Sequence, residues 1–438
     1  MNTNVRNTLL PVLILTFCSM PRVMAETLES EYFFALNIGG PAHTSVLGEV
    51  FAADPNADQA SLLETVGGTQ DDTVFRSYFE GEQNYAFDVP NGKYALTLLF
   101  AEPYVTSRGT RVFDIEVEGQ VVSADFDIIR QRDGVPGRAL TRTVPSVLVT
   151  DGELNLHLIP KIGEPVLSGL VIRAVSKSEF CGAVVYEDHF DKAKLDTQHW
   201  NYNFWPAGKV NNELQTYVDA PKNVRIEEGK LIIEAHKEAG TDQYTSGRIH
   251  TSGKVDLLYG RVEVRAKLPR GKGTWPAIWM LPTDAFKYAS TCSQDADWQG
   301  NSGCDAWPNS GEIDIMAYVG YDPQRVHATV HTKDFYWVKG TQRKGSVELP
   351  TANTQFHTYA LEWTPTRMDF MVDDVPYFSY VKNDPRWQAW PFDHQFHLIL
   401  NLAVGGGWGG AEGPPDESAF PAQFQIDYVR IFDNKCNN

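Results

Sequence analysis

Two carboxylates spaced two residues apart, Glu312 and Asp314, stand in the run Gly311-Glu-Ile-Asp-Ile-Met-Ala-Tyr-Val-Gly320. Side chains alternate along a β-strand, so these acids project from one face while Ile313 and Ile315 enter a core. Neighbouring acids resist ionising together, because each negative charge raises the free energy of the other. The pair is therefore a proton-handling arrangement. The same spacing also describes the wet face of an ordinary strand, and the surrounding residues decide between the two readings.

Those surroundings are the strings Asn211-Asn-Glu-Leu-Gln215, Tyr244-Thr-Ser-Gly-Arg248, Gly273-Thr-Trp-Pro-Ala-Ile-Trp-Met-Leu281, His327-Ala-Thr-Val-His331 and Asn401-Leu-Ala-Val-Gly-Gly-Gly-Trp408. Together with the acid strand they resemble, in order, the laminarinase-like members of glycoside hydrolase family 16, whose active-site strand reads Glu-Ile-Asp-Ile-Met-Glu. The resemblance implies that Glu312 is a nucleophile, that Asp314 orients and tunes it, and that a general acid/base belongs at 317. This sequence has Ala317 there. A residue five positions beyond Glu312 faces the core in a regular strand, so the pattern predicts a one-residue β-bulge that turns position 317 back to the acid face.

The activity implied is endo-β-1,3-glucan hydrolysis with retention. A carboxylate attacks the anomeric carbon, and a second carboxyl group about 5–5.5 Å away first protonates the leaving oxygen and then activates water. Agar, carrageenan and mixed-linkage glucan are the substrates of related enzymes on the same fold. Trp275, Trp279 and Trp408 offer apolar ring faces to a neutral sugar, while Asn211, Glu213, Arg248 and Asn401 offer hydrogen bonds to its hydroxyls. By itself a lone strand histidine is structural; the resemblance places His331 in the active site and leaves His327 unassigned. No catalytic cofactor is implied. The family's structural calcium would fall on Glu187, the Gly229 carbonyl and Asp427, oxygen donors of the kind calcium prefers.

Ala317 cannot donate a proton. Loss of general acid/base help is worth about 10²–10⁴-fold, so natural glucan hydrolysis should be nearly abolished while sugar binding survives. A chain drifting toward pure recognition is expected to lose Glu312 and Asp314 as well. Their retention favours an inactivated acid/base variant of an active enzyme. The alternative is a non-catalytic β-glucan recognition protein.

The elements that must hold these residues are short alternating runs divided by Gly, Pro, Asn and Asp turns, which predict an all-β chain of two β-sandwich, jelly-roll domains. Runs such as Tyr94–Phe100, Val112–Val117 and Leu154–Ile159 fill a first domain over 26–175. Within it Asn37-Ile-Gly-Gly40, Asn91-Gly-Lys-Tyr94, Leu98–Tyr104 and Arg111-Val-Phe-Asp114 resemble a malectin-type carbohydrate-binding domain. The resemblance puts Tyr78, Glu102 and Tyr104 near its sugar contacts. A linker without hydrophobic period follows, and the second domain covers 181–438. Its runs include Leu231–Ala235, Arg261–Ala266 and Tyr359–Trp363, with a tight hairpin turn at Val372-Asp-Asp-Val375.

Composition narrows the partners. At a formal net charge of −18 the chain would be repelled by nucleic acid and anionic membranes, and a neutral polymer suits it better; the resemblance makes that partner a β-glucan polysaccharide or oligosaccharide, and the chain is expected to be a monomer. Residues 1–25 have the form of a secretory signal, with Arg6, an apolar run from Leu9 to Phe17, and Val23-Met-Ala25 before Glu26. The expected location is therefore extracellular or periplasmic. Past that segment the cysteines are Cys181, Cys292, Cys304 and Cys436, an even number that suits an oxidising compartment; the pairings favoured are Cys292–Cys304 and Cys181–Cys436.

Overall fold

A computed structural model describes residues 33–131, 135–175, 180–294, 296–300 and 303–435, together with the backbone of Val5–Arg6. The signal-like segment and Cys436 lie outside the described residues. The chain forms two compact units that divide between Lys177 and Ser178. Among the described residues no helix is long and apolar enough to cross a membrane.

The first unit is a sandwich of antiparallel sheets. In one, Gly92–Ala101 lies between Ala139–Val149 and Gly169–Ala174, and Phe33–Asn37 extends the latter. In the other, Glu153–Ile162 lies between Gln83–Asp88 and Val112–Val117, with Gln120–Phe126 beyond. Alternation drives the packing: Leu154, Leu156 and Leu158 enter the core with Leu96, Leu98, Phe100, Phe113 and Ile115. Burying each such side chain stabilises the fold by roughly 1.5–3 kcal/mol.

The second unit is also a two-sheet sandwich. The sheet that carries the acid strand runs Asn201–Tyr202, Arg248–His250, Phe396–Val404, Thr274–Pro282, Glu312–Ala317, Arg325–His331, Arg343–Glu348. Its partner is built on Lys230–Lys237, Ala422–Phe432, Gly260–Lys267, His357–Trp363, Arg367–Val372 and Val375–Val381. The turn at 373–374 is the expected two-residue hairpin: Val372 pairs with Val375, and Asp373 and Asp374 take φ values of 50° and 66°.

Every second residue of the acid-bearing sheet enters the shared core. Phe396, Leu398, Leu400, Leu402 and Val404 do so, as do Ile278 and Met280, Val326, Ala328 and Val330, and Ile249. The opposite face is therefore dealt to His397, Ile399, Asn401 and Ala403; to Trp275, Ala277 and Trp279; to His327, Thr329 and His331; and to Arg248 and His250. Seven hydrogen-bonded strands hold that face rigid.

Candidate active site

The bulge lies where the sequence placed it. On one side Ile278 pairs with Met316 and Trp279 with Asp314, which leaves Ile315 unpaired; on the other Asp314 pairs with Thr329 and Ala317 with His327. Ile313, Ile315, Met316 and Tyr318 all join the core, so the alternation slips by one and Ala317 returns to the face of Glu312 and Asp314. Ala317 sits between Ala277 and His327, 8 % exposed.

Glu312, Asp314 and His331 each place a ligand atom within 4.8 Å of the others. His331 Nε2 is 3.4 Å from Asp314 Oδ2 and 3.7 Å from Glu312 Oε1. Burial pushes both carboxyls well above the ordinary carboxylate range, and the charge of Asp314 raises Glu312 further. Burial also lowers His331, which keeps the imidazole neutral. The pair thus holds a proton at a pH where isolated carboxylates would have none. Opposing this, the indole Nε1–H of Trp307 donates to Glu312 Oε2 at 2.8 Å and favours the ionised form of Glu312. The Trp307 ring also lies 5.9 Å from His331 and 5.7 Å from Tyr336.

Trp307→Phe removes that donor and should raise the pKa of Glu312 by about one unit, since a hydrogen bond to a charged group is worth about 1.5–3 kcal/mol and one unit about 1.4. The acid limb of any reaction that uses Glu312 as nucleophile should then move to higher pH. A pH series of nucleophile reactivity on an activated aryl donor reads this, and an unmoved limb would rule out the role.

The aromatic residues line the same face. Trp275 and Trp408 meet edge to face, centroids 5.5 Å apart at 90°, and His327 approaches Trp408 at 5.3 Å. Trp408 follows Gly405-Gly-Gly407, of which Gly405 and Gly406 have φ of 65° and 73°. A Cβ on Gly406 would stand 2.9 Å from the Asn211 carbonyl, so the glycines let the loop close on its neighbour.

Other expected sugar contacts turn out to hold one another. Asn401 Oδ1 accepts from Trp279 Nε1 at 2.7 Å, and its Nδ2 donates to the Tyr217 hydroxyl at 3.0 Å. Glu213, also buried, accepts from Asn211 Nδ2 at 3.1 Å and Gln215 Nε2 at 2.8 Å, with the Tyr217 hydroxyl at 3.4 Å. This chain of bonds orients Trp279 from beneath. Arg248 is buried with its guanidinium stacked between Trp205 at 4.1 Å and Trp279 at 4.7 Å, and its Nε donates to Asn203 Oδ1 at 2.9 Å.

Trp307, Trp205, Tyr217 and Asn203 escaped the sequence reading. They come from irregular segments or a short edge strand with no period to mark them. The nearest signal was Trp307 itself, an aromatic residue in the approach to the acid strand.

In the first unit Glu102 is 1 % exposed and fully engaged, with the buried Arg111 guanidinium at 2.7 Å and the amides of Tyr104 and Val105 at 3.3 and 3.0 Å. Tyr78 is buried in the core. Only Tyr104 presents its ring to solvent, with its hydroxyl bonded to Glu80.

Of the residues expected to hold calcium, Glu187 lies 3.2 Å from His189 and 3.7 Å from Arg430, and Asp427 is ion-paired with Arg265. Gly229 occupies a hairpin turn at φ 69°. Among the described residues, Glu312, Asp314 and His331 are the one convergent group of three His, Cys, Asp or Glu side chains.

A buried pair of carboxyls on the open face of a jelly roll, beside three tryptophans, points to a class, the glycosidases. The glycosyl hydrolases family 16 model matches residues 211–430, and the chain belongs to that family. A malectin domain model matches residues 32–172. A β-glucanase of Rhodothermus marinus is 48% identical over 257 residues, 57% of this chain and 84% of the relative. A glucan endo-1,3-beta-glucosidase of Cryptopygus antarcticus is 37% identical over 262 residues, 56% and 90% of the two chains. The solved laminarinase of Rhodothermus marinus superposes with a TM-score of 0.51 at 45% identity, covering 57% of this chain and 97% of that one.

Proposed function

We propose that this chain is a retaining endo-β-1,3-glucanase whose acid/base position is vacant of a carboxyl group, so that it binds β-1,3-glucan and cleaves it at a small residual rate. The observation that carries the reading is the bulge, which gathers Glu312, Asp314 and Ala317 on one face beside Trp275, Trp279 and Trp408. Glu312 attacks the anomeric carbon, Asp314 and His331 hold its proton and orientation, and Trp307 favours its anion. A carboxyl group at 317 would protonate the departing oxygen and then take the proton of the attacking water. The reaction runs on carboxylates and calls for no cofactor.

Asn211, Glu213, Asn401 and Arg248 support the cleft walls as much as they meet sugar hydroxyls. Of Tyr78, Glu102 and Tyr104, Tyr104 is the one exposed for a sugar contact. The Cys292–Cys304 disulfide supports an exported protein, and the acidic charge supports a neutral glycan partner over nucleic acid or membrane. Glu312, Asp314, His331 and the cleft tryptophans all come from one chain, which supports a monomer.

Calorimetric titration of laminari-oligosaccharides and of equally long cello-oligosaccharides should show micromolar binding of the β-1,3-linked series, with ligand recovered intact. Equal affinity for both series would overturn the linkage assignment. The second reading, a recognition protein, rests on Ala317 alone.

A further inference from the structure

Two residues stand directly beside Ala317, one on each neighbouring strand. Ala277 of Thr274–Pro282 pairs with it on one side and His327 of Arg325–His331 on the other. Neighbouring strands lie about 4.8 Å apart and paired side chains leave the sheet on the same face, so His327 borders the space that a carboxyl at 317 would fill. Ala277 has no group that exchanges a proton. An imidazole exchanges one close to neutral pH, and it carries Nε2 about as far from its backbone as a glutamate carries its carboxyl.

The chemistry derived above gives His327 no task. Along its strand face Thr329 pairs with Asp314, and His331 pairs with Glu312 and lies close to both carboxyls. His331 is thus the histidine opposite the nucleophile, and His327 is the histidine opposite the missing group. At 9 % exposure it belongs to the floor of the cleft.

Trp408 braces the ring. Its indole lies 5.3 Å from the imidazole at 73°, and it also meets Trp275 at 5.5 Å and 90°. Trp279 pairs with Asp314 and Ala277 with Ala317, so Trp275, two residues farther along, lies past Ala317 as counted from Glu312. Trp408 therefore spans the acid strand from Trp275 to His327 on the side away from the nucleophile. The indole closes that side of the imidazole, and the side toward Glu312 is where the bond to be cleaved must lie.

We propose that His327 is the proton carrier behind the residual glucanase activity, standing in for the carboxyl that position 317 lacks. The inference rests on the glucanase reading above and names the group that completes its reaction. As imidazolium, His327 gives its proton to the departing glucosyl oxygen while that C–O bond breaks and Glu312 bonds to the anomeric carbon. As imidazole, it then takes a proton from water; the water oxygen bonds to the anomeric carbon, the ester C–O bond breaks and Glu312 leaves as carboxylate. One water is consumed, and His327 ends protonated as it began. From one strand away it serves more weakly than a carboxyl at 317.

A dinitrophenyl β-laminarioligoside isolates the second half of this cycle, because its leaving group needs no proton and only the attack of water needs a base. The steady turnover that follows the first equivalent is measured in the chain as it stands, in His327→Gln, in Ala317→Glu and in the double variant. Glutamine keeps hydrogen-bonding groups at 327 but cannot shuttle a proton. His327→Gln should slow that turnover about tenfold in the chain as it stands, and by a factor at least about fivefold smaller in the Ala317→Glu background, where the carboxyl takes over the task. An equal factor in both backgrounds would mark a structural role and overturn the proposal. So would a turnover that His327→Gln leaves unmoved, or an ester that never turns over in the unaltered chain. His327→Asn is the second variant; if neither variant gives the initial burst, His327 serves the shape of the cleft and the proposal falls. Absence of a burst from the unaltered chain would overturn the glucanase reading, and this one with it.

Discussion

Ala317→Glu should raise reducing-sugar release from a linear β-1,3-glucan by at least a hundredfold over the chain as it stands. General acid/base help is worth about 10²–10⁴-fold, or roughly 3–5.5 kcal/mol of barrier. Everything else such a carboxyl needs is in place: position 317 faces the cleft, Ala277 beside it is small, and Glu312 lies on the same strand face. The restored enzyme should also carry a pH signature. Burial raises both carboxyls and the charge of Asp314 raises Glu312 further, so the acid limb of log(kcat/KM) should lie above the usual carboxylate value of about 4. The sign follows from the nucleophile: it must be ionised to attack, and lowering pH through the raised value protonates it. A gain below tenfold would remove position 317 from the chemistry, and a limb at or below pH 4 would refute the shared proton.

The second large effect needs no mutation. A dinitrophenyl β-laminarioligoside has a leaving group that departs without protonation, so Glu312 should open it and release dinitrophenolate in a burst of about one equivalent per chain. The resulting glycosyl ester should then persist, because no base at 317 activates water. Azide, an anion that attacks without giving up a proton, should discharge the ester at least a hundredfold faster and yield a β-glycosyl azide. Glu312→Gln should abolish the burst. A burst that survives in that variant, or an α-configured azide, would end the assignment of Glu312.

The acid strand was legible in the sequence because its chemistry and its core residues alternate along one line, and even the bulge followed from where a sixth position must point. The sandwich strands were legible for the same reason. Partners were harder to read. Period tells which face a residue takes, not what lies opposite it, so Asn401 and Glu213 looked like free sugar contacts when they orient Trp279 through Tyr217. Glu102 could be read either as a sugar contact or as a buried structural acid, and the fold makes it the counter-ion of Arg111. Trp307 and Trp205 arrive from segments without period, and only the folded chain brings them to Glu312 and Arg248.

The slip at Ile315 also gives the strand a reading frame. Acids written at 316 or 318 would be translated into the core with Ile313 and Ile315, where an ionised group is expelled rather than used. Along this strand a second carboxyl that is to reach the cleft beside Glu312 and Asp314 therefore has a single address, position 317.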